Sequence, residues 1–595
     1  MEIRSSAAAA SDCVRPTHDR LATALPARTN NPYDRRVDAD LLVVGGRVFR
    51  GFGQSETPPD GSEAGSPSRT APTAVAVVDD QIAWVGRDSD ALADWRGPGT
   101  EVVDAASGLV LAGFEDAHIH LLSGARGLDE VDLFSAGSVA EILELIRAHA
   151  AARPDDEWVT GHGWMYVPFP GGLPTREQLD GAVPDRPAWM TCYDGHTGWT
   201  NSAGLVAAGI DRNTPDPPNG IIVRDASGEP AGALKEAAVD LVDRVLPPPG
   251  PGDDLAGLRR TIAALHAAGI TAVQDAWAAP NELDLWRKLL DAGELSVRVR
   301  LAFQMSPGIT LKEWRRRLDE YEAVAFPIRG GLWLSAGILK GFADGVIESR
   351  TAAMLAPYED DTSTGHPEWA PDQLDAFVRE ADERAWQIEI HAIGDRGVRM
   401  ALDAFERAAS ANGPRARRHR IEHIETIDAA DIPRFGRQDV IASMQPYHAD
   451  PSPNQSSLWA GNIGPDRASR AWAWASILRD GGTVALGSDW PVVPFDPFIA
   501  LNSAVNRQTV NGEPPGGWLP SERLTLPEAL SAYTLGSARA AWADGRRGTI
   551  EPGLDADLVV LDRDLLSAGA SAIIGTNIRL TVVGGRIVHR REDVS

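Results

Sequence analysis

Between about residues 110 and 545 the chain alternates short apolar runs with stretches of helical periodicity. This alternation constrains the fold more than any other feature. Eight apolar runs end near His120, Asp275, Phe303, Lys340, His391, His423, Gln445 and Asp489. Between them, residues 255–268 carry helical spacing closed by Gly269, and residues 371–385, 395–411 and 470–479 behave alike. Ser138 with Glu141 three residues later predicts a capping box at another helix start. Strands that alternate with helices build parallel sheets, and eight of them predict an α/β architecture, a (β/α)8 barrel of the TIM type. Such a barrel carries its chemistry at the C-terminal strand ends, where most of the residues just named are polar.

The two ends of the chain read differently. Residues 40–49, 72–85 and 101–103 are short β segments, and residues 552–562 and 579–589 answer them. VVGGRV near residue 45 nearly repeats as VVGGRI near residue 584. We expect one small β-sandwich assembled from residues 39–110 and 546–595, around a barrel over 111–545. Residues 1–38 lack periodicity and read as a disordered tail. FGQSETPPDGSEAGSPS reads as an exposed loop. Roughly 150 residues separate the first two barrel strands, too many for a plain crossover. The excess, about 150–254, predicts an insertion of helices and short strands over the barrel mouth.

Charge narrows the partners. Lys and Arg total 57 against 84 Asp and Glu, a net charge of -27, which argues against binding nucleic acid. No export signal and no run of 18 apolar residues is present, so the expectation is a cytoplasmic protein without a membrane span. Cys13 and Cys192 supply no disulfide framework. The implied partner is a small molecule. Homodimers are common in such folds, and no residue pattern decides for one.

His118 and His120 form an HxH pair in GFEDAHIHL. Residues i and i+2 of a strand share a face, so two imidazoles can grip one metal. His391 and His423 each close a later strand, where a lone histidine is more often a core residue; two of them after an HxH change that balance. Asp489, in GSDWP, either caps a turn or binds metal through one oxygen and takes a proton from water. Lys340, in AGILKGF, needs a physical reason to enter a barrel interior, because burying an ammonium is costly. Desolvation and nearby cations would leave a free amine able to take up CO2 as a carbamate. The alternatives are an ion pair with Asp344 or Glu236, or a side chain that reaches solvent.

Together HxH, Lys, His, His and Asp follow the order and strands (first, fourth, fifth, sixth, eighth) of the binuclear ligand set of the amidohydrolase superfamily, which the chain resembles. GFEDAHIHL, GHTGWTNSAGL, ADGVIESRTAAM, HAIGD, RIEH, GSDWP and GTIEPGLDADLVVLD are similar to the amidohydrolase-3 group, which contains N-substituted formamide deformylases. The resemblance runs from about residue 39 to the C-terminus. It implies one or two divalent metals, zinc foremost, held by His118, His120, Lys340, His391, His423 and Asp489, with Asp489 catalytic. It also implies an amide or similar C–N bond as target. Ala112 stands where this group commonly has Pro.

His196 (DGHTGW) is implied to face substrate, against a loop-ordering role. Arg350 (ESRTA) either holds a substrate carbonyl or pairs with an acid. His448 (QPYHAD) is expected near the leaving group, Glu236 in the pocket or on a surface helix. Trp164, Trp199 and Trp490 are core residues or an aromatic pocket wall. Deaminases and lactone or carbamate hydrolases share the scaffold, but HAIGD lacks the Glu helix motif typical of deaminases. A non-catalytic assembly protein is disfavoured by the complete ligand set.

Overall fold

The computed structural model describes residues 37–51, 71–248, 250, 252–452 and 454–591. The tail expected over 1–38 lies outside them except for its last two residues, and the FGQSETPPDGSEAGSPS loop lies outside them entirely.

Eight parallel strands make one sheet in chain order: Phe114–Ile119, Ile270–Ala278, Arg298–Gln304, Leu334–Phe342, Gln387–Ala392, Arg420–His423, Ile441–Met444 and Thr483–Leu486. They are rich in Val, Ile, Leu and Ala because both faces are covered, one by helices and one by the barrel interior. Each run read from the sequence is a strand, though the second and fourth continue past Asp275 and Lys340 to Ala278 and Phe342.

The last strand meets the first across a seam. The Asp489 N–H donates to the His118 carbonyl at 2.6 Å, and the His120 N–H donates to the Trp490 carbonyl at 2.8 Å. Below them Asp116 Oδ1 accepts from the backbone N–H of His118 (3.1 Å) and of Ser488 (2.9 Å). Gly487 is required here, since a Cβ would stand 2.5 Å from His118 N.

Helices fill the crossovers. Asp253–Ala267 ends where Gly269 takes φ +79°, and Pro371–Glu383 and Asp395–Asn412 follow the expected spacing. The helix expected over 470–479 begins only at Trp474, because Trp472 takes φ +45° and turns the chain first. Ser138 caps Val139–Ala152 by accepting from the Glu141 N–H, but the Glu141 carboxylate reaches back to the Gly137 N–H, so the reciprocal half of the box is displaced by one residue.

The terminal segments form two sheets. One orders Gln81–Gly86, Ala74–Val78, Leu41–Val44 and Glu101–Asp104; the other orders Arg47–Val48, Leu109–Ala112, Leu558–Leu561, Ile578–Val583 and Arg586–Arg590. Val43, Val75 and Val77 of the first share one apolar core with Val110, Leu558 and Leu580 of the second, which makes the pair a sandwich built from both chain ends. The repeated VVGGR motif serves two geometries. Near residue 584 it turns a hairpin, whereas near residue 45 it carries the chain from one sheet to the other.

Residues between the first two barrel strands build a six-stranded sheet with the order Gly220–Arg224, Pro230–Glu236, Thr197–Thr200, Ala188–Cys192, Val159–Trp164 and Val131–Asp132. It starts before residue 150, and Trp164 and Trp199 sit in its apolar core.

Arg298, at the base of the third barrel strand, clamps the sandwich. Its Nε and Nη2 meet the two carboxylate oxygens of Asp557 at 2.5 and 3.0 Å, both side chains being buried. Removing Asp557 would leave the buried Arg298 with only the longer approach of Asp555 at 3.5 Å and the Leu332 carbonyl at 3.1 Å. Asp557→Ala should therefore cost about 3 kcal/mol or more in chemical denaturation; a change within the error of the measurement would show that the clamp is dispensable.

Candidate metal centre

The seam places the first donors. His118 is fully buried, and its Nε2 lies 3.3 Å from Asp489 Oδ1; His120 Nε2 lies 3.0 Å from the same oxygen. Neither approach has hydrogen-bond alignment, since Asp489 Oδ1 is a buried atom without a hydrogen-bond partner. Three donor atoms thus converge within 4.8 Å of one another without satisfying each other, the arrangement expected of cation ligands.

A second set shares Asp489. His423 Nδ1 and His448 Nε2 stand 3.9 and 3.6 Å from Asp489 Oδ2, and neither nitrogen has a hydrogen-bond partner. The His423 and His448 rings stack with centroids 5.7 Å apart, and His391 approaches His423 at 4.6 Å. His391 Nε2 faces the Gly345 carbonyl at 3.2 Å, so it carries the proton and leaves Nδ1 as the lone-pair donor. Burial and neighbouring positive charge hold His391 and His423 well below the usual histidine range, in the neutral form that ligates metal. His423 and Asp489 take φ of +73° and +67°, left-handed positions that cost a side chain roughly 1 kcal/mol or more and aim both donors inward.

Lys340 is buried at the same floor, with Nζ 3.5 Å from His118 Nε2 and 4.7 Å from the Phe342 ring centroid. Burial pulls its pKa below the usual lysine value. The suggested partners do not reach it. Asp344 accepts from the backbone N–H groups of Ala353, Ile393 and Gly394, which fixes the loops after the fourth and fifth strands, and Glu236 is bound to His196. The reading of Lys340 as reaching solvent fails too, because the side chain is enclosed.

Beneath these donors runs a buried layer that the sequence motifs did not single out. Glu422 Oε2 faces His118 Nδ1 at 2.6 Å, its other oxygen accepts from Arg420 Nε at 2.8 Å, and Arg420 also meets Glu389 at 2.9 Å. Burial and Lys340 act to lower His118, but Asp489 and Glu422 overcome them and raise it to about 8. In the neutral form, an Nδ1–H donated to Glu422 would leave the Nε2 lone pair facing Asp489 and the floor, so a cation binding there would have to displace the Nε2 proton. The available signal for Glu422 was its place two residues after Arg420 on one strand face, next to His423.

Above the floor lies a cavity of about 920 Å³, walled in part by the insertion sheet. His196 enters from that sheet, its Nδ1 2.7 Å from Glu236 Oε2, while Glu236 Oε1 accepts from the Thr351 hydroxyl at 2.6 Å. Glu236 ends a strand, not a surface helix. Burial works against charge on His196, yet Glu236 carries it up to about 9. Arg350 is not brought to this cavity. Its guanidinium is engaged by Asn462 Oδ1 and Asp361 Oδ2, both at 3.1 Å, the pairing alternative. Trp164, Trp199 and Trp490 do not line it either; Trp277, Phe342 and Tyr193 supply its aromatic surface. We expect Glu422→Gln to weaken zinc binding by about 10- to 100-fold, because it removes the anion that sets the His118 tautomer. Titration of chelator-stripped protein measures this, and unchanged affinity would remove Glu422 from the centre.

Residues 101–589 match the family model described as the amidohydrolase family. The protein LONG AFTER FAR-RED 3 of Arabidopsis thaliana is 31% identical over 565 residues, 92% of this chain and 91% of that one. N-substituted formamide deformylase of Arthrobacter pascens is 28% identical over 530 residues, 87% of this chain and 95% of that one. Among solved structures, an uncharacterized metal-dependent hydrolase from Pyrococcus horikoshii superposes with a TM-score of 0.68 at 23% identity, covering 89% of this chain and 99% of that one. The shared fold, the converging donors and a match over most of the sequence agree: this chain is a hydrolase and belongs to the amidohydrolase family.

Proposed function

We propose that the chain hydrolyses the C–N bond of a small amide, formamides included, at the His–Asp floor of the cavity. The observation that carries this reading is the convergence of His118, His120, His423 and His448 on the one carboxylate of Asp489. Imidazole and carboxylate donors suit zinc, and His118, His120, Lys340, His391, His423 and Asp489 are the residues that would hold one or two ions. A divalent cation there supplies Lewis acidity and lowers the pKa of water toward neutrality. Lys340, once deprotonated, would add to CO2 with loss of a proton and supply one further anionic ligand.

The remaining work falls to the protein. Burial opposes ionisation of Asp489, but His118 and His120 hold it well below the usual carboxylate range, so it stands ready as a proton acceptor. From there the proton can pass to the departing nitrogen, with His448 beside it. His196, positively charged and held by Glu236, is suited to donate to the substrate oxygen as negative charge builds on it. Barrel and insertion both contribute walls to the cavity in which this exchange would take place.

Asp489→Asn should keep the fold by circular dichroism and lose roughly 100-fold or more of turnover on a formamide and acetamide panel; turnover near the wild-type rate would refute the assignment. His196 supplies a pH signature. Its folded-state value lies above the free one, so the charged form persists through neutrality and is lost as pH rises through about 9. The basic limb of kcat/KM should therefore lie near pH 9 and move toward neutrality in Glu236→Gln. A limb that the substitution leaves in place would exclude His196 from it.

A further inference from the structure

Arg507 stands in the left-handed position (φ +54°) that ends the helix Pro497–Asn506, after the eighth barrel strand, and it is 0% exposed. Its Nη2 donates to the Trp472 carbonyl at 2.8 Å and to the Ala471 carbonyl at 3.3 Å, both in the segment between the seventh and eighth strands. The guanidinium carbon lies 4.0 Å from the centroid of the Trp474 ring. These contacts occupy one nitrogen and one face. Nε and Nη1 are buried and have no hydrogen-bond partner, and among the described residues no carboxylate comes within 4.0 Å of the group. Glu522, the acid that acts on it, is engaged elsewhere. Its carboxylate accepts from the Ser476 backbone N–H at 2.9 Å and from the Ser476 hydroxyl, and Arg479 approaches it at 3.5 Å.

The residues that hold and flank Arg507 add donors rather than acceptors. Trp472 Nε1, Trp474 Nε1 and Arg523 Nε are buried without a partner. So is the hydroxyl of Ser503, whose carbonyl accepts from the Arg507 N–H at 3.2 Å, and a hydroxyl can donate as well as accept. Burial pulls the Arg507 guanidinium down to about 9, with Glu522 opposing and the charge of Arg523 assisting. It therefore stays charged at neutral pH. Buried polar groups are hydrogen-bonded and buried charges are paired, and here the chain supplies neither to this edge of the guanidinium. Water would answer the hydrogen bonds and leave the charge uncompensated.

We propose that Arg507 is the centre of a binding site for a small monovalent anion, chloride in particular, between the segment 471–474 and the end of the helix Pro497–Asn506. Such an ion accepts from several N–H groups, donates nothing and supplies the missing charge. The site lies behind the cavity wall, apart from the His–Asp floor. The Trp472 N–H donates to the Glu425 carbonyl at 2.9 Å, and the Trp472 ring stacks on Trp459, whose Nε1 donates to the Glu425 carboxylate at 2.6 Å. Glu425 in turn lines the cavity. An anion at Arg507 braces this wall from behind, and it does so whether or not the floor cleaves amides.

Thermal unfolding of the full chain, with sodium gluconate replaced by sodium chloride at fixed ionic strength, tests the site. A ligand that binds only the folded chain should raise the unfolding temperature with the logarithm of its concentration, by roughly 2 °C or more over a hundredfold range above its dissociation constant. Bromide should replace chloride, and Arg507→Gln should abolish the dependence. An unfolding temperature indifferent to chloride, or an equal dependence in Arg507→Gln, would overturn the proposal. Should Arg507→Gln fail to fold, anomalous scattering from bromide-soaked crystals of the unaltered chain decides: a peak within hydrogen-bond reach of the Arg507 guanidinium upholds the site, and no peak there overturns it.

Discussion

Closure of the barrel and assembly of the donor set are one event. The backbone bonds that join the eighth strand to the first run between Asp489 and His118 and between His120 and Trp490, so the residues that seal the seam carry the converging side chains. Asp116 adds a carboxylate that accepts from both sides of the same seam, and Gly487 leaves room for it. A parallel strand pair is held by slanted bonds of modest individual strength, and side-chain bridges across a closing seam limit its freedom. Any loosening there would separate Asp489 from His118 and His120 directly. The left-handed backbone at His423 and Asp489 belongs to the same economy, since the closed barrel holds two unfavourable conformations where donors must turn inward.

The layer under the floor explains why these donors keep one orientation. Arg420 is fully buried, yet it meets Glu389, Glu422, the Gln274 side-chain oxygen and the Ala117 carbonyl, so its charge is shared among four partners. Glu422 passes that constraint to His118 and fixes which nitrogen faces the cavity. Removing a single member would leave a charge stranded in a medium of low polarity, which is why such a layer acts as a unit. Lys340 stands at its upper edge, with cationic and aromatic neighbours and no carboxylate within ion-pair reach among the described residues. Burial lowers its pKa from the usual lysine value, against the opposing charges of Glu389, Glu422 and Asp489.

The barrel was legible in the sequence because period and punctuation agree along it: eight apolar runs, helical stretches between them, and polar residues at the strand ends. Those end residues include the His–Asp cluster, since side chains at strand termini on one sheet face need only correct register to meet. The sandwich was legible from two terminal groups of short strands, although sequence could not show that VVGGR makes a hairpin once and a sheet-to-sheet passage once. What escaped was relational. Glu422 reads as an ordinary strand glutamate until the fold puts it against His118, and Asp344 reads as a partner for Lys340 until three backbone N–H groups claim it. Arg350 is drawn away by Asp361 and Asn462, the latter more than a hundred residues distant in sequence. Of the two places open to Trp164 and Trp199, core or pocket wall, both took the core, while Trp277 took the cavity wall. The insertion sheet, in which all but one pairing joins strands consecutive in the chain, could be located by its length but not resolved into strands.

The most direct test of this account is the metal content of the full chain, purified without chelator and measured by elemental analysis beside protein concentration. The donor set and the buried amine of Lys340 predict about two equivalents of divalent metal, as in centres that clamp a reacting group between paired ions. A chain that stays free of metal, even after incubation with zinc and removal of the excess, would contradict the central claim, because the convergence on Asp489 would then have to be explained without a cation.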